Sequence, residues 1–128
     1  MSAHTKTALL QSRLASRGVP VSFNDAQALR RAAMTLHSWA ERECGTDYGC
    51  IERDEQTGKT YWLNSTTMRR FPIADRESGA LRRVAAVCKA NSAHFYHQTD
   101  PRGAALYVAR EPLTNQNYSS VGVCCDVD

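Results

Sequence analysis

The chain has 128 residues, of which 42% are hydrophobic and 23% are charged. These values are ordinary for one globular domain that is long enough to bury a core. The formal net charge of +3 is too small to indicate a nucleic-acid-binding protein by itself. No apolar run resembles a secretory signal or is long enough to span a membrane, so the sequence predicts a cytoplasmic protein without a membrane partner.

The five cysteines form no C-x-x-C pair, and their number is odd. This pattern predicts free thiols in a reducing cytosol rather than a disulfide framework. Cys44 and Cys88 are assigned to core packing, and no cysteine–histidine spacing matches a zinc site. The sequence therefore predicts no metal and no cofactor. The adjacent Cys124 and Cys125 are either incidental thiols of a tail or a pair that is redox-active or binds a soft metal.

Residues 1–22 are predicted to form an N-terminal helical arm. A short helix is expected from Thr5 to Arg17, with its leucines on one side. An arm of this kind docks either on its own domain or on a second copy of the chain, so a homodimer is one of the expected states.

Residues 23–111 are predicted to form an α+β domain, followed by residues 112–128 as a tail or an edge strand. A helix is expected to start at Asn24, because apolar residues then follow at helical spacing. Tyr48–Asp54 and Lys59–Asn64 are predicted strands, joined by a turn in which Gly58 adopts a positive φ. Met68–Phe71 is a short candidate third strand.

A second helix is predicted from Asp75, whose carboxylate is expected to cap it. The strands His94–Gln98 and Ala104–Ala109 follow, and Asp100–Gly103 suits a type I turn between them. The two helix–hairpin segments align without gaps when the chain is shifted by 45 residues. The predicted fold is thus an antiparallel sheet of four or five strands with two main helices on one face, in the order α-β-β-(β)-α-β-β, plus a short N-terminal helix.

Strand alternation divides the predicted sheet into two faces. An apolar face is expected under the helices, and an antiparallel sheet can leave its other face open. The predicted apolar face carries Cys50, Tyr61, Leu63, Phe95, Leu106 and Val108. The predicted open face carries Ile51, Arg53, Thr60, Trp62, Asn64, Tyr96, Gln98 and Tyr107. It is left uncovered, is covered by the N-terminal arm or the C-terminal tail, or is buried in a homodimer.

Aromatic and cationic residues on the predicted open face indicate a binding surface. Trp, Tyr and Arg are typical of protein interfaces, and the same rings stack on nucleic-acid bases. The segment from Arg69 to Arg110 has eight basic and three acidic residues, which favours an anionic partner or simply forms a solvated basic face. The predicted binding residues are Arg53, Trp62, Arg69, Arg70, Tyr96, Gln98, Arg102 and Tyr107.

Enzyme signatures are absent from the sequence. It contains no Walker loop, no G-x-G-x-x-G and no nucleophile elbow. His97 and Asp100 lie close enough in sequence for acid–base work in a small hydrolase or transferase, but Asp100 more simply caps its own turn. We therefore assign no catalytic residue.

The segments Cys50–Asp54 and Tyr96–Gly103 resemble small uncharacterised proteins encoded by phages and prophages of Gram-negative bacteria. The resemblance extends from about Leu36 to Tyr118. It implies a bacterial host cytoplasm and a mobile-element origin, and it transfers no site residue. The leading hypothesis is therefore a non-catalytic accessory protein that binds a host protein, for example as an anti-CRISPR-like inhibitor of a defence system. A module that binds nucleic acid or a nucleotide signal is the alternative.

Overall fold

The computed structural model describes residues 2–44, 48–99, 106–112, 114 and 122–125. Three α-helices and six strands lie within this part of the chain. The helices are α1 (Ala3–Ser16), α2 (Phe23–Trp39, continued by the π-helical turn Ala40–Cys44) and α3 (Asp75–Ala90). The strands are β1 (Gly49–Arg53), β2 (Thr60–Asn64), β3 (Arg70–Pro72), β4 (His94–Thr99), β5 (Leu106–Ala109) and β6 (Val123–Cys124). The predicted α+β class is confirmed, with six short strands in place of four or five.

The strands lie in the order β3-β2-β1-β4-β5-β6, and every neighbouring pair is antiparallel. Each of the two longest helices is followed by its own three-stranded meander: α2 by β1, β2 and β3, and α3 by β4, β5 and β6. The two meanders join at two residue pairs, Gly49–Thr99 and Cys50–Gln98. The fold is therefore built from two similar units whose sheets meet along a short seam.

The helix starts differ in detail from those predicted. The hydroxyl of Ser22 accepts a hydrogen bond from the Asp25 N–H at 3.1 Å, so α2 begins at Phe23 rather than at Asn24. Asp75 is the first helical residue of α3 and not its cap, because Ala74 occupies the capping position and has no side chain to bond. The Asp75 carboxylate still lies at the positive end of the helix dipole.

One hydrophobic core joins all three helices to one side of the sheet. Leu10 and Leu14 of α1 are fully buried in this core, so the N-terminal helix is packed into the same interior as the rest of the chain. Other fully buried members are Val19, Leu29, Leu36, Trp62, Val84, Leu106 and Val108. Within the described residues no helix combines the length and apolarity that crossing a membrane requires.

Asn64 organises the turn between β2 and β3. Its side chain is fully buried, and its Oδ1 accepts hydrogen bonds from the N–H groups of Thr66 and Thr67 at 3.0 and 3.3 Å. Its Nδ2 donates to the Glu43 carbonyl oxygen at 2.8 Å. This one amide therefore ties the end of β2 both to its own turn and to the π-helical turn after α2.

Replacing Asn64 with alanine is expected to lower the free energy of unfolding by about 1–3 kcal/mol, because the substitution leaves the Glu43 carbonyl and two turn amides without their hydrogen-bond partner. Urea unfolding followed by circular dichroism measures this loss. Thr66→Ala serves as the control, since the Thr66 side chain is exposed. Equal midpoints for the two variants would show that the Asn64 bonds do not hold the turn.

Candidate binding surface

The prediction that Trp62 lies on an open face is wrong. Its side chain is 0% exposed and belongs to the hydrophobic core. Its neighbours across the sheet, Ile51 on β1 and Phe71 on β3, pack against the same core. Trp62 therefore points toward the helices, and it cannot contact a partner in the folded chain.

The helices lie against one face of the sheet, the inner face, and the opposite side is the outer face. The inner face, which lies under the helices, carries Ile51, Arg53, Thr60, Trp62, Asn64, Phe95, Leu106 and Val108. The outer face carries Cys50, Glu52, Tyr61, Leu63, Arg70, His94, Tyr96, Tyr107 and Cys124. The predicted faces are thus reversed for β1 and β2 but match the structure for β4 and β5.

The reversal arises from a one-residue slip between the two units. The shift of 45 residues places Tyr61 and Leu63 on Leu106 and Val108, but the β2 residue that belongs to the hydrophobic core is Trp62. Because side chains alternate along a strand, a slip of one residue exchanges the two faces. The polar neighbours of Trp62 are accommodated inside by hydrogen bonds. Thr60, for example, lies 2.6 Å from the Ser78 hydroxyl of α3.

Arg70 lies at the β3 end of the outer face, and its charge is already balanced. Its guanidinium stacks on Tyr61, with 4.7 Å between Cζ and the ring centroid. Its Nε donates to Glu52 Oε1 at 2.9 Å, and its Nη2 contacts the same oxygen. Asp54 Oδ2 lies 3.8 Å from Nη1. The hydrogen bond to Glu52 raises the pKa of Arg70.

Asp54 closes the β1–β2 turn beside this cluster. Its Oδ1 accepts hydrogen bonds from the N–H groups of Gln56 and Thr57 at 2.9 and 3.2 Å. The bond from Thr57, the bond from Gln56 and the nearby Arg70 charge all lower the pKa of Asp54. The Asp54 carboxylate therefore loses its charge at a lower pH than an isolated aspartate, and both Glu52 and Asp54 lie beside the Arg70 guanidinium.

Aromatic rings occupy the other half of the outer face. Tyr96 on β4 lies directly opposite Tyr107 on β5, and the His94 ring lies 6.0 Å from the Tyr96 ring. Both tyrosines are half-buried, and His94 is exposed. We call His94, Tyr96 and Tyr107 the tyrosine patch. Sequence reasoning identified both tyrosines but missed His94, whose two-residue spacing from Tyr96 is the signal that places it on the same face.

Two of the remaining predicted binding residues, Arg53 and Arg69, lie away from this patch. Arg69 pairs with Glu43 at 2.8 Å near the π-helical turn. Arg53 lies on the inner face, contrary to the prediction that it is on the open side. Gln98 is in β4 opposite Cys50, but its side chain lies outside the described part. Arg102 lies outside the described residues altogether, as do Asp100 and the side chain of His97.

The four cysteines whose side chains the structure describes divide between the core and the outer face, and the side chain of Cys44 lies outside the described part. Cys88 is buried, and this burial raises the pKa of its thiol. Cys125 is also buried in the core, whereas its neighbour Cys124 lies opposite Tyr107 on the outer face. Where the chain is described, no three His, Cys, Asp or Glu side chains are arranged to hold a metal ion. The two vicinal thiols thus face different environments.

Comparison of the chain with protein-family models, with curated proteins and with solved structures finds no match. Function is therefore inferred from the geometry of the sheet.

Proposed function

We propose that this chain is a non-catalytic accessory protein that binds another protein through the tyrosine patch. The observation that supports this proposal is the cross-strand pairing of Tyr96 with Tyr107 on the side of the sheet away from the helices. Tyrosine is enriched at the energetic centres of interfaces, because its rigid ring buries much area while its hydroxyl keeps a polar contact. The three helices contribute to the core on the opposite side.

The charge distribution favours a protein partner over a nucleic acid. Binding to a phosphate backbone needs cations that are free to displace counterions. On the outer face, however, Arg70 is paired with Glu52 and Asp54, so the described residues form no continuous basic groove there. In a phage or prophage setting the expected partner is a host protein, and an inhibitor of a host defence system is one concrete form of this function.

Replacing both Tyr96 and Tyr107 with alanine is expected to weaken partner binding by about thirtyfold or more, since hot-spot rings contribute more than about 1 kcal/mol each. Affinity purification from a bacterial host lysate, with quantitative mass spectrometry, measures the loss of a partner that wild type enriches. Tyr48→Ala is the matched control, because that tyrosine is 57% exposed and lies outside the patch.

Three results would distinguish binding of a host protein from binding of nucleic acid and from self-association. Equal enrichment of the same proteins by wild type and by the double variant would contradict the proposed surface. Binding of labelled DNA or RNA that falls steeply with salt would instead support the nucleic-acid alternative. A change from dimer to monomer in the double variant, measured by light scattering, would mean that the patch contacts a second copy of the chain.

A further inference from the structure

The seam between the two meanders opens into a cleft. The β1–β4 pairing ends at Cys50 and Gln98, although β1 continues to Arg53 and β4 extends back to His94. Beyond the seam, β1 pairs with β2 and β4 pairs with β5. We call the gap between Ile51–Arg53 and His94–Tyr96 the cleft.

A pocket of about 160 Å³ lies on the inner side of this cleft. Its walls include Ile51 of β1 and Phe95 of β4, and Leu81 and Ala85 of α3 lie below them. Small-molecule sites typically have volumes of about 300–1,000 Å³, so this pocket is too small for a ligand of that kind. It is of the size that one apolar side chain fills.

Two arginines flank this apolar pocket. Arg53 and Arg82 line it, both are exposed, and neither forms an ion pair with any residue that the structure describes. Arg83 next along α3 differs, because it pairs with Asp25 at 2.8 Å. None of the described residues that line the pocket is acidic. Two uncompensated guanidiniums beside an apolar pocket are complementary to a carboxylate attached to an apolar group.

Arg53 also provides a strand edge. The Asp54 N–H donates to the Lys59 carbonyl at 2.8 Å, so the backbone of Asp54 points toward β2. Because these directions alternate along a strand, the N–H and C=O of Arg53 point toward the cleft. The β1–β4 pairing ends at Cys50 and Gln98, so within the described residues Arg53 has no strand-pairing partner on this side. An extended segment can therefore pair with β1 at this position.

We propose that the cleft binds an extended segment of a partner protein in which an apolar residue and an acidic residue are separated by one position. The segment pairs with the backbone of Arg53, its apolar side chain fills the pocket above Leu81 and Ala85, and its carboxylate contacts Arg53 and Arg82. The two-residue spacing follows because alternate side chains of a strand share a face. This inference rests on the proposed binding of a protein partner and identifies the segment that is recognised.

The test uses short fluorescein-labelled peptides with a central leucine–threonine–glutamate sequence, titrated with the full chain at low salt and followed by anisotropy. Saturable binding is expected, with a loss of about tenfold or more when the peptide glutamate becomes glutamine or the leucine becomes serine. An Arg53→Gln, Arg82→Gln double variant should show a similar loss. Arg76→Gln with Lys89→Gln removes the same charge elsewhere on α3 and should leave binding within about twofold.

Ala85→Phe is a second test variant that fills the pocket without changing charge. Its side chain is exposed, so the substitution is compatible with folding, and it should abolish peptide binding. Absence of peptide binding to wild type, or equal binding to the wild-type, double-arginine and Ala85→Phe proteins, would overturn the inference.

Failure of this inference can be told apart from failure of the proposed tyrosine patch. If the cleft variants keep both the peptide and the lysate partner while the Tyr96→Ala, Tyr107→Ala protein loses that partner, the patch stands and the cleft does not. If the tyrosine variant keeps the partner while the cleft variants lose it, the cleft stands and the patch does not.

Discussion

Replacing Trp62 with alanine is expected to lower the free energy of unfolding by about 3–5 kcal/mol, the range for removing a large buried aromatic side chain. The indole is 0% exposed on the side of the sheet that the helices cover, so its removal leaves a cavity between the layers. Urea unfolding followed by circular dichroism provides the measurement.

Trp62→Phe is expected to be much less destabilising than Trp62→Ala. The indole Nε1–H is buried and has no hydrogen-bond partner among the described residues. Phenylalanine removes this stranded donor, which recovers about 1–3 kcal/mol and offsets part of the lost packing. Tyr61→Ala is the control on the same strand, because it removes an outer-face ring whose stack with Arg70 contributes about 0.5–1 kcal/mol. Losses of equal size for Trp62→Ala and Tyr61→Ala would contradict the assignment of the faces.

Replacing Leu14 with alanine is expected to lower the free energy of unfolding by about 2–5 kcal/mol. Leu14 is fully buried in the core that α1 shares with the sheet, so the cavity forms inside the domain even though the substitution lies near the N-terminus. The same urea experiment measures the loss. Arg13→Ala is the control, because Arg13 is the exposed neighbour of Leu14 on α1.

A small effect of Leu14→Ala would change the role that is assigned to α1. If Leu14→Ala and Arg13→Ala unfold at the same urea concentration, α1 does not contribute to the domain's stability and is an arm outside the core. A cooperative loss would show that the first 22 residues cannot be treated as a separate unit.

The local elements could be predicted because their signals are short-range. Gly58 adopts the expected positive φ of 73° between β1 and β2, and the strand pair β4–β5 forms where aromatic and aliphatic residues alternate. The turn predicted at Asp100–Gly103 lies outside the described residues. Helix α3, which was predicted to start near Asp75, ends at Ala90 with Asn91 as its C-cap.

The faces of β1 and β2 could not be predicted, because composition gave the opposite answer. Thr60 and Asn64 lie on either side of Trp62 on the same face of β2, so most residues on that face are polar. Their burial is favourable only because they form hydrogen bonds to Ser78 and to the Glu43 carbonyl on other elements. A polar group that keeps a hydrogen bond can be buried at a small cost in free energy. Such partners follow from tertiary packing and are not visible in the sequence.

The electrostatics of the outer face depend on strand register for the same reason. The sequence alone predicts that Arg70 is an unpaired cation. In the structure β1 and β3 pair with opposite sides of β2, and this arrangement places Glu52 next to Arg70. The cleft could not be predicted either, because the two meanders were expected to share one continuous sheet. Arg53 and Arg82 differ from Arg70 because neither forms an ion pair with a described residue.

The two proposed surfaces share one strand. Phe95 of β4 lines the pocket on the inner side, and the next residue, Tyr96, belongs to the tyrosine patch on the outer side. A segment inserted beside β1 would therefore lie next to the patch, so that one partner can contact both. This geometry predicts that cleft and patch variants are not independent in partner binding, which a double-mutant cycle would measure.

The direction in which Trp62 points decides which side of the sheet is available to a partner. Its exposure is measured by acrylamide quenching in a Trp39→Phe background, where Trp62 is the only tryptophan. The fold described here requires a blue-shifted emission that acrylamide barely quenches until the protein is unfolded. A red-shifted emission that acrylamide quenches strongly in the folded protein would place the indole in solvent and would contradict the assignment of the inner and outer faces.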